Sequence, residues 1–467
     1  MSIAEATPDL EQADRSDHAF LGHPKGLGYL GFTEACERFS YYSMQTLLVL
    51  YMVNYLLVPA RMHSVVGLDW LQAHVYHGLT GQPLASAIFG TYASLVYLTP
   101  IAGGFIADKW LGRDATLLIG GVLMVIGHFL MAIEWAFVFA LLALVLGVGA
   151  FKGNIASQVG SLYAPNDLRR ATAFQLFYIF INAGVILASP IAGTLGQKVG
   201  WHWGFGCAGV VMVLGMAIYL AGRPHLPRHE LATPKADPAL REPLNRTDWV
   251  RIAYVVVLIP VLAIALLTNM QIFNVYLTWG DQHFSLSLFG TTFPSSWLIT
   301  IDSVVSVTFL VVVAAFWKLW SLKHREPDEI SKMMIGSLFS IGAGLCLFMG
   351  ALTEPAGGKI SMFWPLMFEV LNSIGFAHIL PISLALFSKL APRQINATVI
   401  GLYYLAFFLA NAMVGWVGGF YSTLPTTTFW LIHVACAAFG LVAFFVLKLA
   451  IGKRMDSRPK DQAAALA

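Results

Sequence analysis

Gly103-Gly104-Phe105-Ile106-Ala107-Asp108-Lys109-Trp110-Leu111-Gly112-Arg113 joins two long apolar stretches, near 84–107 and 115–133. Its glycines permit a tight turn between helix ends, and its Asp and Arg can cap and pair those ends. A basic turn of this kind also belongs on the inner side of a membrane. Outward from the loop the same alternation continues. About 20 mostly apolar residues suffice to span a bilayer as a helix. Twelve stretches qualify, near 28–57, 84–107, 115–133, 136–163, 171–195, 201–221, 252–279, 294–317, 333–352, 362–388, 397–421 and 427–450.

Composition agrees. The chain has 467 residues, 57% of them apolar and 11% charged, against roughly 25% charged in a soluble protein. Too little charge is present to cover a soluble fold of this size. A net charge of +3 supplies no basic face for nucleic acid. Ten-residue alternation of a membrane β-barrel is absent. Cys36, Cys207, Cys346 and Cys436 are scattered without disulfide or metal spacing, and His63, His74 and His77 offer no ligand set, so neither a metal nor a cofactor is expected. No nucleophile–base pair, zinc-protease helix or phosphate loop suggests an enzyme.

Orientation follows from the basic residues. With both termini cytoplasmic, all but five of the 28 Lys and Arg fall inside. Arg61, Lys198 and Lys359 lie outside, and Arg38 and Lys152 lie within spans. The positive-inside rule demands such a bias, and a one-span error would destroy it downstream. Residues 1–24 are polar and acidic, lack the pattern of a cleaved signal peptide, and are expected to form a disordered cytoplasmic tail. Residues 25–221 then form a first six-helix bundle, 222–251 a proline-rich basic linker, 252–450 a second bundle, and 451–467 a cytoplasmic tail. The linker is too short to span twice, so two extra helices between the bundles are not expected. The predicted class is an all-α, multi-pass protein of the inner (plasma) membrane, embedded in the lipid bilayer. The 6+6 layout and the quoted loop resemble the major facilitator superfamily, whose solute site lies at the midplane.

An ionised side chain at mid-membrane costs about 2.5–3.5 kcal/mol even on the lenient insertion scale. The first span nevertheless reads Glu34-Ala35-Cys36-Glu37-Arg38-Phe39-Ser40-Tyr41-Tyr42. At about 100° per residue, Glu34, Glu37, Arg38, Tyr41, Tyr42 and Gln45 share one broad face. A simple Glu–Arg clasp between helices needs one acid and one base. This face has a second acid and hydrogen-bonding aromatics, which favours a cavity lining.

This stretch resembles the E-x-x-E-R-F-x-Y-Y signature of the proton-dependent oligopeptide transporter family, a major-facilitator branch. Gly149-Ala150-Phe151-Lys152-Gly153-Asn154 is similar to its G-x-x-K-x-N stretch, and Phe177-Tyr178-Ile179-Phe180-Ile181-Asn182-Ala183-Gly184 to its F-Y-x-x-I-N-x-G stretch. The first half matches by motif, the second by layout and scattered residues. The resemblance implies a proton-coupled symporter for di- and tripeptides. In it Arg38 and Lys152 would receive the peptide carboxylate, Tyr42, Tyr97 and Asn182 would bond its backbone, and Glu34, Glu37 and Arg38 would couple protons. Tyr41 joins the binding set from the same face, and Tyr403 stands where the family often has a pocket-lining Trp. Family members usually work as monomers.

The chain also departs from the family. Gln45 and Asn274 occupy the places of an ion-paired gate, and two amides could close it by hydrogen bonds. Phe376 stands where a glutamate normally receives the peptide ammonium. Asp302, in place of a span-eight asparagine, is the expected substitute, with Glu369 a second candidate. These departures leave open a same-family carrier for a modified amino acid, an anion or a drug. His128 and His378 are expected to be packed or hydrogen-bonded.

Overall fold

The structure is a computed structural model describing residues 17–164, 167–227, 244–288, 290–392 and 395–455. Twelve helices of 19 residues or more make up most of it. In chain order they are α1 (Lys25–Tyr51), α2 (Gly81–Ile106), α3 (Gly112–Leu130), α4 (Phe137–Ser161), α5 (Arg169–Ala188) and α6 (Trp201–Gly222). There follow α7 (Arg246–Ala265), α8 (Trp297–Ser321), α9 (Glu329–Leu352), α10 (Phe363–Leu390), α11 (Asn396–Gly418) and α12 (Thr426–Met455). Among the described residues, ten helical runs are long and apolar enough to cross a membrane. One of them, Gly81–Leu130, contains both α2 and α3, while α1, with its four charges, is not among the ten. The fold is thus of the all-α membrane class.

The loop between α2 and α3 behaves as its residues dictate. Helix α2 runs on into a wider π-helical turn over Ala107–Leu111, and Gly112, at φ +72°, makes the corner into α3. That left-handed conformation is costly for a residue with a Cβ. Arg113 lies 3.7 Å from Asp108 across the corner.

Contacts group the chain into two compact units. The first comprises Met1–Arg241 with Tyr276–Asp281 and Phe289–Ser303. Within it α1 packs on α5 and α6, α2 on α4, and α3 on α4 and α6. The second comprises Glu242–Val275, Gln282–Leu288 and Val304–Ala467. There α9 packs on α10 and α12, and α7 on α11 and α12.

Three segments differ from expectation. Residues 1–16 lie outside the described residues, but 17–24 are folded rather than a disordered tail. Phe20 and His23 bond each other's backbones around a tight turn with Leu21 and Gly22 at positive φ. His23 Nδ1 is 2.9 Å from the Tyr163 hydroxyl, and Arg169 donates to the Asp17 carbonyl at 3.2 Å. These polar anchors offset the entropy of ordering a short terminal stretch. In the linker, 228–243 lie outside the described residues, and the following helix already starts at Arg246. Asn245 and Asp248 form a reciprocal capping box there, with bonds of 2.9 and 3.1 Å. Of the C-terminal tail, α12 continues to Met455, and 456–467 lie outside the described residues.

The seventh span is broken rather than continuous. Helix α7 ends at Ala265, a turn over Leu267–Met270 and a 3₁₀ turn over Gln271–Phe273 follow, and helix resumes over Val275–His283. Asn274, at φ −117° and ψ −104°, breaks the ladder.

Candidate functional site

Helix α1 is enclosed almost all round, so its charges must be satisfied by protein groups or by the solvent of a cavity. Arg38, Glu34 and Glu37 are 5%, 4% and 0% exposed. Glu34 precedes Arg38 by one helical turn, and the guanidinium Nε lies 3.1 Å from Glu34 Oε1. The same Nε donates to Glu37 Oε2. Two carboxylates therefore compete for one donor edge. Glu34 Oε2, Glu37 Oε1 and Arg38 Nη2 are buried without a hydrogen-bond partner. An unfilled donor on a buried cation is where an added carboxylate gains most.

Lys152, from α4, is the second cation. Its ammonium lies 4.8 Å from the Tyr97 ring centre and 5.9 Å from that of Tyr41. The Arg38 guanidinium carbon lies 5.3 Å from the Tyr41 ring centre. Tyr41 thus stands between two cations, and its π face attracts both. Tyr41 and Tyr42 meet edge to face at 5.2 Å. Lys152 makes no ion pair among the described residues, yet it is within electrostatic range of Arg38, Glu37 and Glu34. Such a cation is available to an anion from outside the protein.

The structure brings Glu34, Glu37, Arg38, Tyr41, Tyr42, Tyr97 and Lys152 together inside the first unit. Asn182 is on α5, which packs on α1, and its amide nitrogen donates to the Tyr178 carbonyl at 2.7 Å, leaving its oxygen as an acceptor. Gln45 is 8% exposed, further along α1. Asp302 is half-buried and within electrostatic range of Tyr42. Asn274 and Tyr403 belong to the second unit. Asn274 is fully buried and donates to the Val414 carbonyl at 3.3 Å. Tyr403 is buried and donates to the Leu380 carbonyl at 3.0 Å, beside the proline of α10. Glu369 is buried and Phe376 half-buried on the same helix.

His378 uses both ring nitrogens. Nδ1 faces the Ile374 carbonyl at 2.8 Å, and Nε2 accepts from the Trp317 indole at 3.0 Å. Those bonds define the neutral Nδ1–H tautomer. His128 is buried with neither nitrogen bonded. Tyr92, which the sequence did not single out, is buried within electrostatic range of Arg38 and Glu37. It precedes Tyr97 by five residues, which is no helical repeat, so spacing carried no signal for it.

Apolar helices around buried, shared charges and a lysine outside any ion pair are the arrangement of a polytopic membrane protein with a polar interior. A family model described as the POT family matches residues 114–238. The peptide transporter YePEPT of Yersinia enterocolitica is 29% identical, over 86% of this chain and 88% of its own length. A di-/tripeptide transporter of Lactococcus lactis is 27% identical, over 85% of this chain and 89% of its own. A crystal structure of a peptide transporter POT in complex with sulfate superimposes with a TM-score of 0.81 at 25% identity, covering 96% of this chain and 98% of that one. The chain is thus similar to POT family transporters, by a family model over part of its length and by relatives and solved structures over most of it.

Proposed function

We propose that this protein is a proton-coupled symporter that imports di- and tripeptides by alternating access. The observation that carries the reading is the sharing of one buried guanidinium, Arg38, by Glu34 and Glu37, with an unpaired ammonium at Lys152 nearby. The peptide carboxylate binds Arg38 and Lys152, while Tyr41, Tyr42, Tyr97 and Asn182 bond or pack against its backbone. An arriving carboxylate competes with Glu34 and Glu37 for Arg38. A buried carboxylate that loses its cation takes up a proton, so solute and proton bind together. One charge crossing 100 mV yields about 2.3 kcal/mol, enough to accumulate solute roughly fiftyfold. The names of the relatives, peptide and di-/tripeptide transporters, support the substrate class.

In this reading all twelve long helices cross the plasma membrane, both termini are cytoplasmic, and the carrier works as a monomer without a cofactor. Asp302 receives the peptide ammonium in place of Phe376. Purified protein in vesicles, given an inward-negative potential, should alkalinise the external medium when dialanine is added. Dialanine uptake without proton movement would remove the coupling.

Phe376 favours a second reading, a carrier of the same family for a modified amino acid, an anion or a drug. Competition against labelled dialanine separates the two. Free peptides compete under the first reading, and N-blocked peptides compete equally well under the second.

A further inference from the structure

Asp281 lies near the end of the helix Val275–His283, and in the first unit its carboxylate is gripped by neutral groups from three other segments. Asn54 Nδ2 donates to Oδ2 at 3.0 Å, and Ser295 Oγ donates to Oδ1 at 2.6 Å. Gln197 Nε2 stands 3.4 Å from Oδ1 and donates to Ser295 Oγ at 2.7 Å. Gln197 Oε1 accepts from the Ser296 amide at 2.9 Å, and the Trp297 indole donates to Thr194 Oγ1 at 2.9 Å. No cation pairs with Asp281 among the described residues. The bonds tie 276–281 and the start of α8 to the turns that end the first and fifth spans, Met52–Leu56 and Leu195–Val199.

A hydrogen bond to an ionised acceptor is roughly twice as strong as one between neutral groups. Here a single charge joins three other segments to its own without an opposing charge. Asn274, expected at the gate, donates to the Val414 carbonyl inside the second unit, and an amide carries no charge. We propose that Asp281, Gln197 and Ser295 form a clamp that holds this end of the first unit closed, and that it opens each time the carrier exposes its site there. Because no opposite charges separate on opening, the clamp responds little to ionic strength, unlike an ion-paired gate.

The proposal rests on the transporter reading but is tested without it. Ser296 is fully buried behind the clamp, so Ser296→Cys reports opening through its reaction with a membrane-impermeant maleimide. The background replaces Cys36, Cys207, Cys346 and Cys436 with alanine. Asp281→Ala and Gln197→Ala should each raise the labelling rate about tenfold, and the double variant no further than the larger single, because both break one network. The rate should change less than about twofold between low and high salt, since no exposed ion pair is screened. An unchanged rate in a folded, monodisperse Asp281→Ala protein overturns the clamp, as do fully additive singles. Faster labelling in variants whose parent moves no peptide leaves the clamp standing and removes the peptide reading alone.

Discussion

Gly184 abuts Arg38: a Cβ built on Gly184 would stand 3.0 Å from the Arg38 Cβ and 2.3 Å from the Ala35 carbonyl oxygen. Helix α5 can approach α1 at the level of its charges only because residue 184 has no side chain. Gly184→Ala should push the helices apart, cost about 1–3 kcal/mol of stability and weaken dialanine binding about tenfold. Thermal unfolding and equilibrium binding on the purified variant check both.

Glu37 is the more deeply buried of the two acids on Arg38. Glu37→Gln keeps the side-chain size but cannot carry the proton. Uptake driven by a pH gradient should vanish, while exchange of labelled for unlabelled dialanine persists. Normal concentrative uptake by this variant would place the coupling elsewhere.

Lys152 is proposed to offer its charge to the peptide carboxylate. In Lys152→Gln the affinity for dialanine should fall about ten- to a hundredfold, the range for losing a charge-assisted bond in a buried site. Binding of the methyl ester of the same peptide, which has no carboxylate, should change little. Equal losses for both would assign Lys152 a packing role.

Asp302 is proposed to receive the ammonium. Asp302→Asn should weaken free peptides about tenfold and leave N-acetylated peptides unaffected. Adding Phe376→Glu to that variant should restore part of the loss. If Phe376→Glu acts identically with and without Asp302, the two positions do not substitute for each other.

Residues 17–24 lie ahead of α1, and their docking titrates. The amides of Lys25 and Ala19 hold the Asp17 carboxyl below its ordinary 3.8. Burial, then the Arg169 charge, holds the His23 imidazole below its ordinary 6.5. Both lowered values make docking complete at high pH and weaker on acidification. The released segment takes a proton first on His23, as pH falls below 6.5, and then on Asp17, below 3.8. The Lys25 amide donates to Asp17 Oδ2, so its exchange protection should fall in two steps. His23→Asn should abolish the upper step and Asp17→Asn the lower.

The fold was legible because lipid leaves few options: apolar runs must be helices, and basic residues mark their inner ends. The polar face of α1 was equally legible, since buried charge at helical spacing has no ordinary explanation. What escaped the sequence depends on contacts between distant segments. Asp281 is one acid in a polar stretch until Gln197 and Ser295 surround it. Tyr163 and Arg169 give no hint that they fasten His23 and Asp17. The interruption at Asn274 has no proline or glycine beside it, and the hydropathy of the stretch runs through it. Tyr403 and Asn274 were placed by resemblance, which carries position but not the partner each side chain finds.

Helix α1 is enclosed by later helices and carries two acids and a guanidinium along one side. It is also made before α5 and α6. At that moment α5 and α6, its packing partners, have not been synthesised, and a lone α1 in lipid has no shelter for those groups. Its stable residence in the bilayer therefore waits on the completion of more than two hundred residues of chain. Substitutions that delay α5 or α6 should leave nascent chains with their opening segment accessible to quality-control proteases, even when every group in the binding site is intact.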